Sequence, residues 1–316
     1  MSGFAGHVLA LAGGVGGAKL IRGLALQLAP AQLTAAVNTA DDFNYLGLDI
    51  CPDLDSVTYA LAGLNDEKRG WGLRDETWRF MAAVERLGGE SWFSLGDQDL
   101  ATHVLRTARL REGASLTEVT GELTRALGIS VCVAPMCDQP VRTLVDTGEG
   151  QLAFQHYFVA RRCEPVVQAF HYRGAQAAQV STPLADALVR PDLAVVVICP
   201  SNPFISIDPM LALPGLRARL EHLPVPVIAV SPIVGGDAIK GPAAKMLREL
   251  GLPVSAAGIA QHYGPLLDGY VIDRSDARLA GSLAPLPVHA TNTLMRNDGD
   301  RADLAGAVLR FAEHVI

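Results

Sequence analysis

The sequence predicts an α/β fold of the Rossmann-like class. A mostly parallel sheet carries helices on both faces, with a helical insertion after the second strand. Three observations carry this expectation. The chain opens strand, glycine loop, helix, strand, in "HVLALA", "GGVGGAKL" and "LTAAVN", a βαβ unit whose natural product is a parallel pair. Two later runs, "LAVVVICP" and "VPVIAVSP", are apolar throughout, as strands covered on both faces are. Between residues 53 and 127 the apolar spacing changes to about 3.6, the helical period.

The elements follow in order. Helices are expected in "PDLDSVTYALAGL", "RDETWRFMAAVERLG", "QDLATHVLRTARLREG" and "SLTEVTGELTRALG", giving an excursion over about 56–128. The last opens with a capping box, Ser115 and Glu118, and stops at Gly128. Strands return with "ISVCVAP", "VRTLVDT", "QLAFQHYFV" and "AFHYRG", in part antiparallel. Helices near 183–190, 214–222, 242–250 and 301–315 are placed to cover the apolar strands. No linker, repeat or low-complexity tract interrupts the chain, so residues 1–316 are expected to form a single Rossmann-like domain.

Composition narrows the function. Net charge is −7 and pI ≈ 5.6, which disfavours a polyanionic partner such as nucleic acid. No apolar run is long enough for a membrane span, and the start lacks a basic signal-peptide segment. Cysteines 51, 132, 137, 163 and 199 follow no metal or disulfide spacing. They read as reduced thiols of a cytoplasmic protein.

The opening loop is the first candidate site. Gly13, Gly14, Gly16 and Gly17 flank Val15 behind a strand, with Lys19 in the first helical turn. Residues without Cβ let backbone N–H groups converge on a phosphate, and the helix dipole adds positive charge there. The spacing is neither the dinucleotide fingerprint nor the P-loop, and a plain tight turn is the competing reading.

After the second strand, "VNTADDFNYLGLDICPDLDS" gathers Asn38, Asp41, Asp42, Asp49, Asp53 and Asp55, where open α/β sheets bind ligands. Clustered carboxylates repel unless a cation compensates, and oxygen donors without His or Cys favour Mg²⁺. Asp53 is also a candidate cap for the helix starting near Pro52. One of the Asp41/Asp42 pair is a candidate for simple solvation. Two further strand ends carry polar groups suited to a phosphate or base edge: Ser201 and Asn202, then Ser231, Gly235, Gly236 and Lys240. As ordinary turns they would look the same. On the third inserted helix, Asp99 and His103 stand four apart and form a possible carboxylate–imidazole pair. A satisfied core histidine is the commoner outcome.

Taken together, "LAGGVGGAKL", "NTADD", "ICPDLDS", "RGWGLRDETW", "LGDQDLATH", "PSNPFISI" and "SPIVGG…GPAAK" resemble the 2-phospho-L-lactate transferase family (LPPG:Fo 2-phospho-L-lactate transferase) of coenzyme F-420 biosynthesis. The match runs in order over nearly the full chain. The resemblance implies a Mg²⁺-dependent enzyme acting on two small molecules, the ribityl deazaflavin Fo and a guanosine diphosphate-linked phospho-acid. The ribityl hydroxyl attacks the phosphorus carrying the acid, a phosphodiester forms, and GMP leaves. The acid is phospholactate, phosphoenolpyruvate or 3-phosphoglycerate.

Carried over by motif, Asp55 is expected to contact the deazaflavin or its metal, and Ser94 the deazaflavin. The residue pattern adds Asn38 beside the deazaflavin, Asp55 and Asp42 as candidates for catalysis, and Asp41, Asp53 and Asp55 as candidates for the metal. The glycine loop with Lys19, together with Ser201, Asn202, Ser231 and Gly235, holds the nucleotide. Asp55, one turn into its helix, is expected to face the cleft with its charge in solvent. Family members commonly carry Arg where this chain has Gln98, which weakens the expected grip on the acid end. Two rivals are a non-catalytic nucleotide-sugar or dinucleotide-binding regulator of a related Rossmann-like family and an NAD(P)-dependent oxidoreductase. A homodimer is expected, as the commonest soluble assembly.

Overall fold

The structure is a computed structural model that describes residues 3–238 and 241–315. Strand β1 (His7–Ala12) runs through the glycine loop into helix α1 (Gly14–Gln27) and back through β2 (Leu33–Val37). These belong to a seven-stranded sheet whose pairings are all parallel. Across it the strands run Val288–Thr291, Gly269–Asp273, Val227–Val230, Leu193–Ile198, β1, β2, Cys132–Pro135. The chain builds outward from β1 on one side, then returns to β1's other edge and builds the opposite way. The reversal lies between β1 and Leu193–Ile198, and such a switch point leaves a crevice at the carboxyl ends of the strands.

Every residue of β1 is buried, because both faces are covered. Leu9 and Leu11 join Val196 and Ile198 in one apolar cluster. Val8, Ala10 and Ala12 join Val195 and Val197 in another, on the opposite face. The alternation is the strand's own period of two. On the second face α1 packs against the helix Asp298–Ala312. They approach so closely that a Cβ on Gly23 would lie 2.1 Å from the Arg301 carbonyl.

The insertion after β2 starts with a short hairpin, Phe43–Tyr45 and Leu48–Ile50. Helices α2 (Pro52–Ala62), α3 (Arg79–Arg86), α4 (Asp99–Arg111) and α5 (Leu116–Ala126) follow. The expected capping box is formed: Ser115 accepts from the Glu118 N–H and Glu118 reaches back to the Ser115 N–H. The antiparallel part is a separate three-stranded sheet with Arg142–Thr147 between Gly150–Ala153 and Val167–Arg173. Only the start of "QLAFQHYFV" is strand, since His156–Ala160 turns helical.

The later helices appear as Thr182–Ala187, Leu216–Glu221, Ala243–Glu249 and Asp298–Ala312. A further helix, Ala256–Tyr263, was not legible in the pattern. Gly258 inside it weakens the helical signal, yet a Cβ there would lie 2.1 Å from the Pro253 carbonyl. Among the described residues no helix is long and apolar enough to cross a membrane, and all five cysteines are free.

Candidate active site

The glycine loop closes on itself and on its neighbours. The Gly13 N–H donates to Ser201 Oγ (3.1 Å), whose hydroxyl donates back to the Gly13 carbonyl (2.9 Å). This pins the end of β1 to the end of Leu193–Ile198 across the switch point. Gly14, at φ +64°, donates its N–H to Asp53 Oδ1 at 2.7 Å. A Cβ on Gly16 would stand 2.3 Å from the Pro200 carbonyl, and one on Gly17 2.7 Å from Ala12 Cβ. The glycines therefore serve a close backbone approach. Lys19 donates to the Met295 carbonyl at 2.9 Å, so its ammonium is held at the far end of the chain.

The other expected nucleotide contacts also have local partners. Asn202 caps the turn after it, accepting from Phe204 N (3.0 Å) with its amide against Met246 Sδ (3.3 Å). Ser231 Oγ accepts from Ile233 N and donates to the Ile233 carbonyl. Gly235 N donates to Asp276 Oδ2 at 2.8 Å. Lys240 lies outside the described residues.

The carboxylate cluster behaves differently. Asn38 donates to Asp53 Oδ2 (3.0 Å) and the Ile205 carbonyl (3.1 Å), and accepts from Ala40 N (3.0 Å). Asp53 is thereby a bridge from β2's end to the N-terminus of α1. It caps that helix rather than α2, whose own N-cap is Cys51. Asp41 and Asp42 are both buried, so neither is simply solvated, and each leaves Oδ1 without a hydrogen-bond partner. Burial raises all three carboxyls: Asp42 to about 8, and Asp53 to about 6 against the pull of Asn38 and the Gly14 N–H. Asp41 rises well above the usual range, first by burial and then by the charge of Asp53.

Asp41 and Asp42 line a cleft of about 310 Å³ with Phe43, Tyr45, Trp92, His156, Arg142 and Arg173. Trp92 stacks on His156 (4.6 Å) and meets Tyr45 edge-on (5.1 Å). The cleft therefore sets a cluster of aromatic rings beside two carboxyls and two guanidinium groups.

Asp55 is not part of that group. It is buried on α2 beneath Arg106 of α4, which donates from Nη1 to Oδ2 (3.2 Å) and from Nη2 to Oδ1. Among the described residues, the group of three acidic, His or Cys side chains with ligand atoms all within 4.8 Å is Asp55, Asp99 and His103. The expected metal set of Asp41, Asp53 and Asp55 is thus divided between two places, and Asp55's charge meets Arg106 instead of solvent. The cause is the helix: residues 53 and 55 point to different sides of α2's first turn. Asp49 stays on the hairpin, close to Asn44 (3.4 Å). Ser94 is exposed, two residues past Trp92. Gln98 donates to the Asp75 carbonyl (3.1 Å).

A family model for the 2-phospho-L-lactate transferase CofD matches residues 8–297. The chain belongs to this family. It is a transferase, and the family serves phosphoryl-group transfer in coenzyme F-420 biosynthesis. A phosphoenolpyruvate transferase of Kitasatospora aureofaciens is 38% identical over 98% of each chain. A 2-phospho-L-lactate transferase of Methanosarcina mazei is 37% identical over 96% of this chain and 99% of its own. A crystal structure of a UPF0052-family protein from Bacillus halodurans covers 98% of this chain and 99% of its own at TM-score 0.63 and 14% identity. At that identity the likeness speaks for the fold alone.

In this transferase, several site residues carried no signal by themselves. Arg106 has the nearest thing to a sequence signal: Asp99, His103 and Arg106 fall at i, i+4 and i+7, a polar stripe on the face of α4 that the protein buries. The possible Asp99–His103 pair does form, with Nε2 at 3.3 Å from Oδ2. Arg142, Arg173 and His156 come from the antiparallel sheet and the turn after it, and nothing local marks them.

Proposed function

We propose that this transferase joins the deazaflavin Fo to a phospho-acid delivered as its guanosine diphosphate derivative, releasing GMP, in coenzyme F-420 biosynthesis. The observation that carries the reading is the cleft of Asp41 and Asp42. Two buried carboxylates with unpartnered oxygens under an aromatic wall suit a flat heterocycle bearing a polyol: the ring stacks and the hydroxyls donate. The crevice at the β1 switch point, beside the first turn of α1, suits the diphosphate of the donor.

The donor chemistry suits a magnesium ion. Asp41 and Asp53 are hard oxygen donors whose pKa values burial raises, and Asp41 feels the charge of Asp53 as well, a cost that a divalent cation removes. These two would hold Mg²⁺, which would supply neutralisation of phosphate charge and Lewis-acid polarisation. Asp42, poised near 8, is suited to take the ribityl proton, since a base works best when its pKa lies near the working pH. Asn38 keeps Asp53 oriented. Asp55, its charge balanced by Arg106, accepts a hydrogen bond from the deazaflavin's side chain. The phosphoryl transfer itself needs positioning and charge neutralisation more than a covalent intermediate.

The test is direct. The protein is incubated with Fo, Mg²⁺ and, separately, the guanosine diphosphate derivatives of phospholactate, phosphoenolpyruvate and 3-phosphoglycerate. Mass spectrometry of the products then identifies the acid. Absence of a deazaflavin phosphodiester in all three, with a UDP-sugar or NAD raising the melting temperature more than GDP, overturns the reading. We further propose a cytoplasmic homodimer, measurable by light scattering as about twice 33.4 kDa.

A further inference from the structure

Arg106 is 2% exposed, and a buried guanidinium has to find acceptors within the protein. It finds four, on three elements. Nη1 donates to Asp55 Oδ2 (3.2 Å) on α2, to the Asp49 carbonyl (3.3 Å) on the hairpin and to His103 Nδ1 (3.3 Å) on α4 itself. Nη2 donates to Asp55 Oδ1. The two contacts with Asp55 make a planar fork that fixes both the position and the rotation of the carboxylate, which a single point of contact does not.

His103 extends the device. Arginine only donates, so His103 Nδ1 accepts. The ring's Nε2 stands 3.3 Å from Asp99 Oδ2 and makes no hydrogen bond of its own among the described residues. Asp99 Oδ1 accepts from the Tyr59 hydroxyl at 2.5 Å, and Tyr59 stands one turn beyond Asp55 on α2. Asp55, Arg106, His103, Asp99 and Tyr59 therefore form one cluster of polar side chains between α2 and α4.

We propose that Arg106 is a positioning residue for transfer: it sets the Asp55 carboxylate in one orientation, with the outer lone pairs left to accept from the deazaflavin's hydroxyls. This rests on the reading of Asp55 as a substrate contact. A purely structural tie between α2 and α4 would affect stability and leave turnover per folded molecule unchanged.

The experiment compares Arg106→Lys, Asp55→Asn and the neutral pair Asp55→Asn/Arg106→Gln. For each, kcat and KM for Fo are measured, and the GDP-induced shift in melting temperature serves as a control on the other half of the site. Arg106→Lys keeps the charge but loses the fork. Its turnover should fall about 10- to 100-fold, the scale of a small misplacement of a reacting group, with the GDP response intact. The neutral pair keeps hydrogen bonding without a buried charge, so it guards against loss of folding. It should turn over no more slowly than Asp55→Asn alone, because Arg106 acts through Asp55. Wild-type turnover in Arg106→Lys beside an impaired Asp55→Asn overturns the inference alone, as does a further tenfold loss in the neutral pair. Wild-type turnover in Asp55→Asn overturns the reading of Asp55, and the inference with it.

Discussion

The glycine loop and the carboxylate cluster after β2 stand at neighbouring strand ends, and both look like ligand sites in sequence. In the folded chain they are opposites. Gly13 and Ser201 bond each other and the Gly14 N–H bonds Asp53, while Asn202 and Ser231 are tied into local turns. Asp41 and Asp42 keep buried oxygens with no partner, at raised pKa. Such groups are costly, and they persist where a ligand supplies what the fold withholds. The difference teaches that the loop offers a fixed shape, whereas Asp41 and Asp42 offer an outstanding polar need.

The sharpest break in that comparison lies at Asp55, a carboxylate whose charge is already paired with Arg106. Asp55→Asn leaves the Arg106 charge buried and unpaired, which costs about 3–5 kcal/mol in urea unfolding. A loss of a few tenths would place Asp55 with the solvated carboxylates.

Asp42→Asn should go the other way. Turnover falls about 10²-fold or more, while metal-free protein gains stability at pH 8. The sign follows from linkage. A carboxyl raised in the folded state gives stability that is full below its unfolded value, about 4, and is lost as pH rises through the folded one. That value is about 6 for Asp53 and about 8 for Asp42. Metal-free wild type should therefore melt lower as pH rises from 5 to 8, Asp42→Asn should flatten this slope, and Mg²⁺ should restore stability at pH 8. A slope unchanged in Asp42→Asn would assign it elsewhere.

Gly16→Ala tests the loop by crowding. With the Pro200 carbonyl 2.3 Å from the added carbon, the loop must shift, at about 1–3 kcal/mol, and the GDP-induced rise in melting temperature should shrink. A wild-type GDP response would separate the loop from the nucleotide. The smallest effect is expected at Asn202→Ala: about 1 kcal/mol, as for a lost cap, with GDP binding retained. Loss of GDP binding at full stability would make Asn202 a ligand contact instead of a turn residue.

The parallel sheet, the glycine loop at the end of β1, the inserted helices and the α5 capping box were all legible in the sequence. Each depends on neighbours within a few residues: apolar period, chirality of the crossover, a cap and its helix. The seven Asn and Asp positions that frame the site, from Asn38 to Asp55 and Asp99, were visible as candidates for the same reason. Their roles were not. That Asp53 caps α1, that Arg106 claims Asp55, and that Arg142 and Arg173 reach the cleft of Asp41 depend on residues 39, 51 and more than 100 positions apart. Local sequence fixes which chemical groups are available and how each segment bends. Only the packed structure decides which of them meet, because burial strips away water and leaves each charge to the partner that the other elements bring.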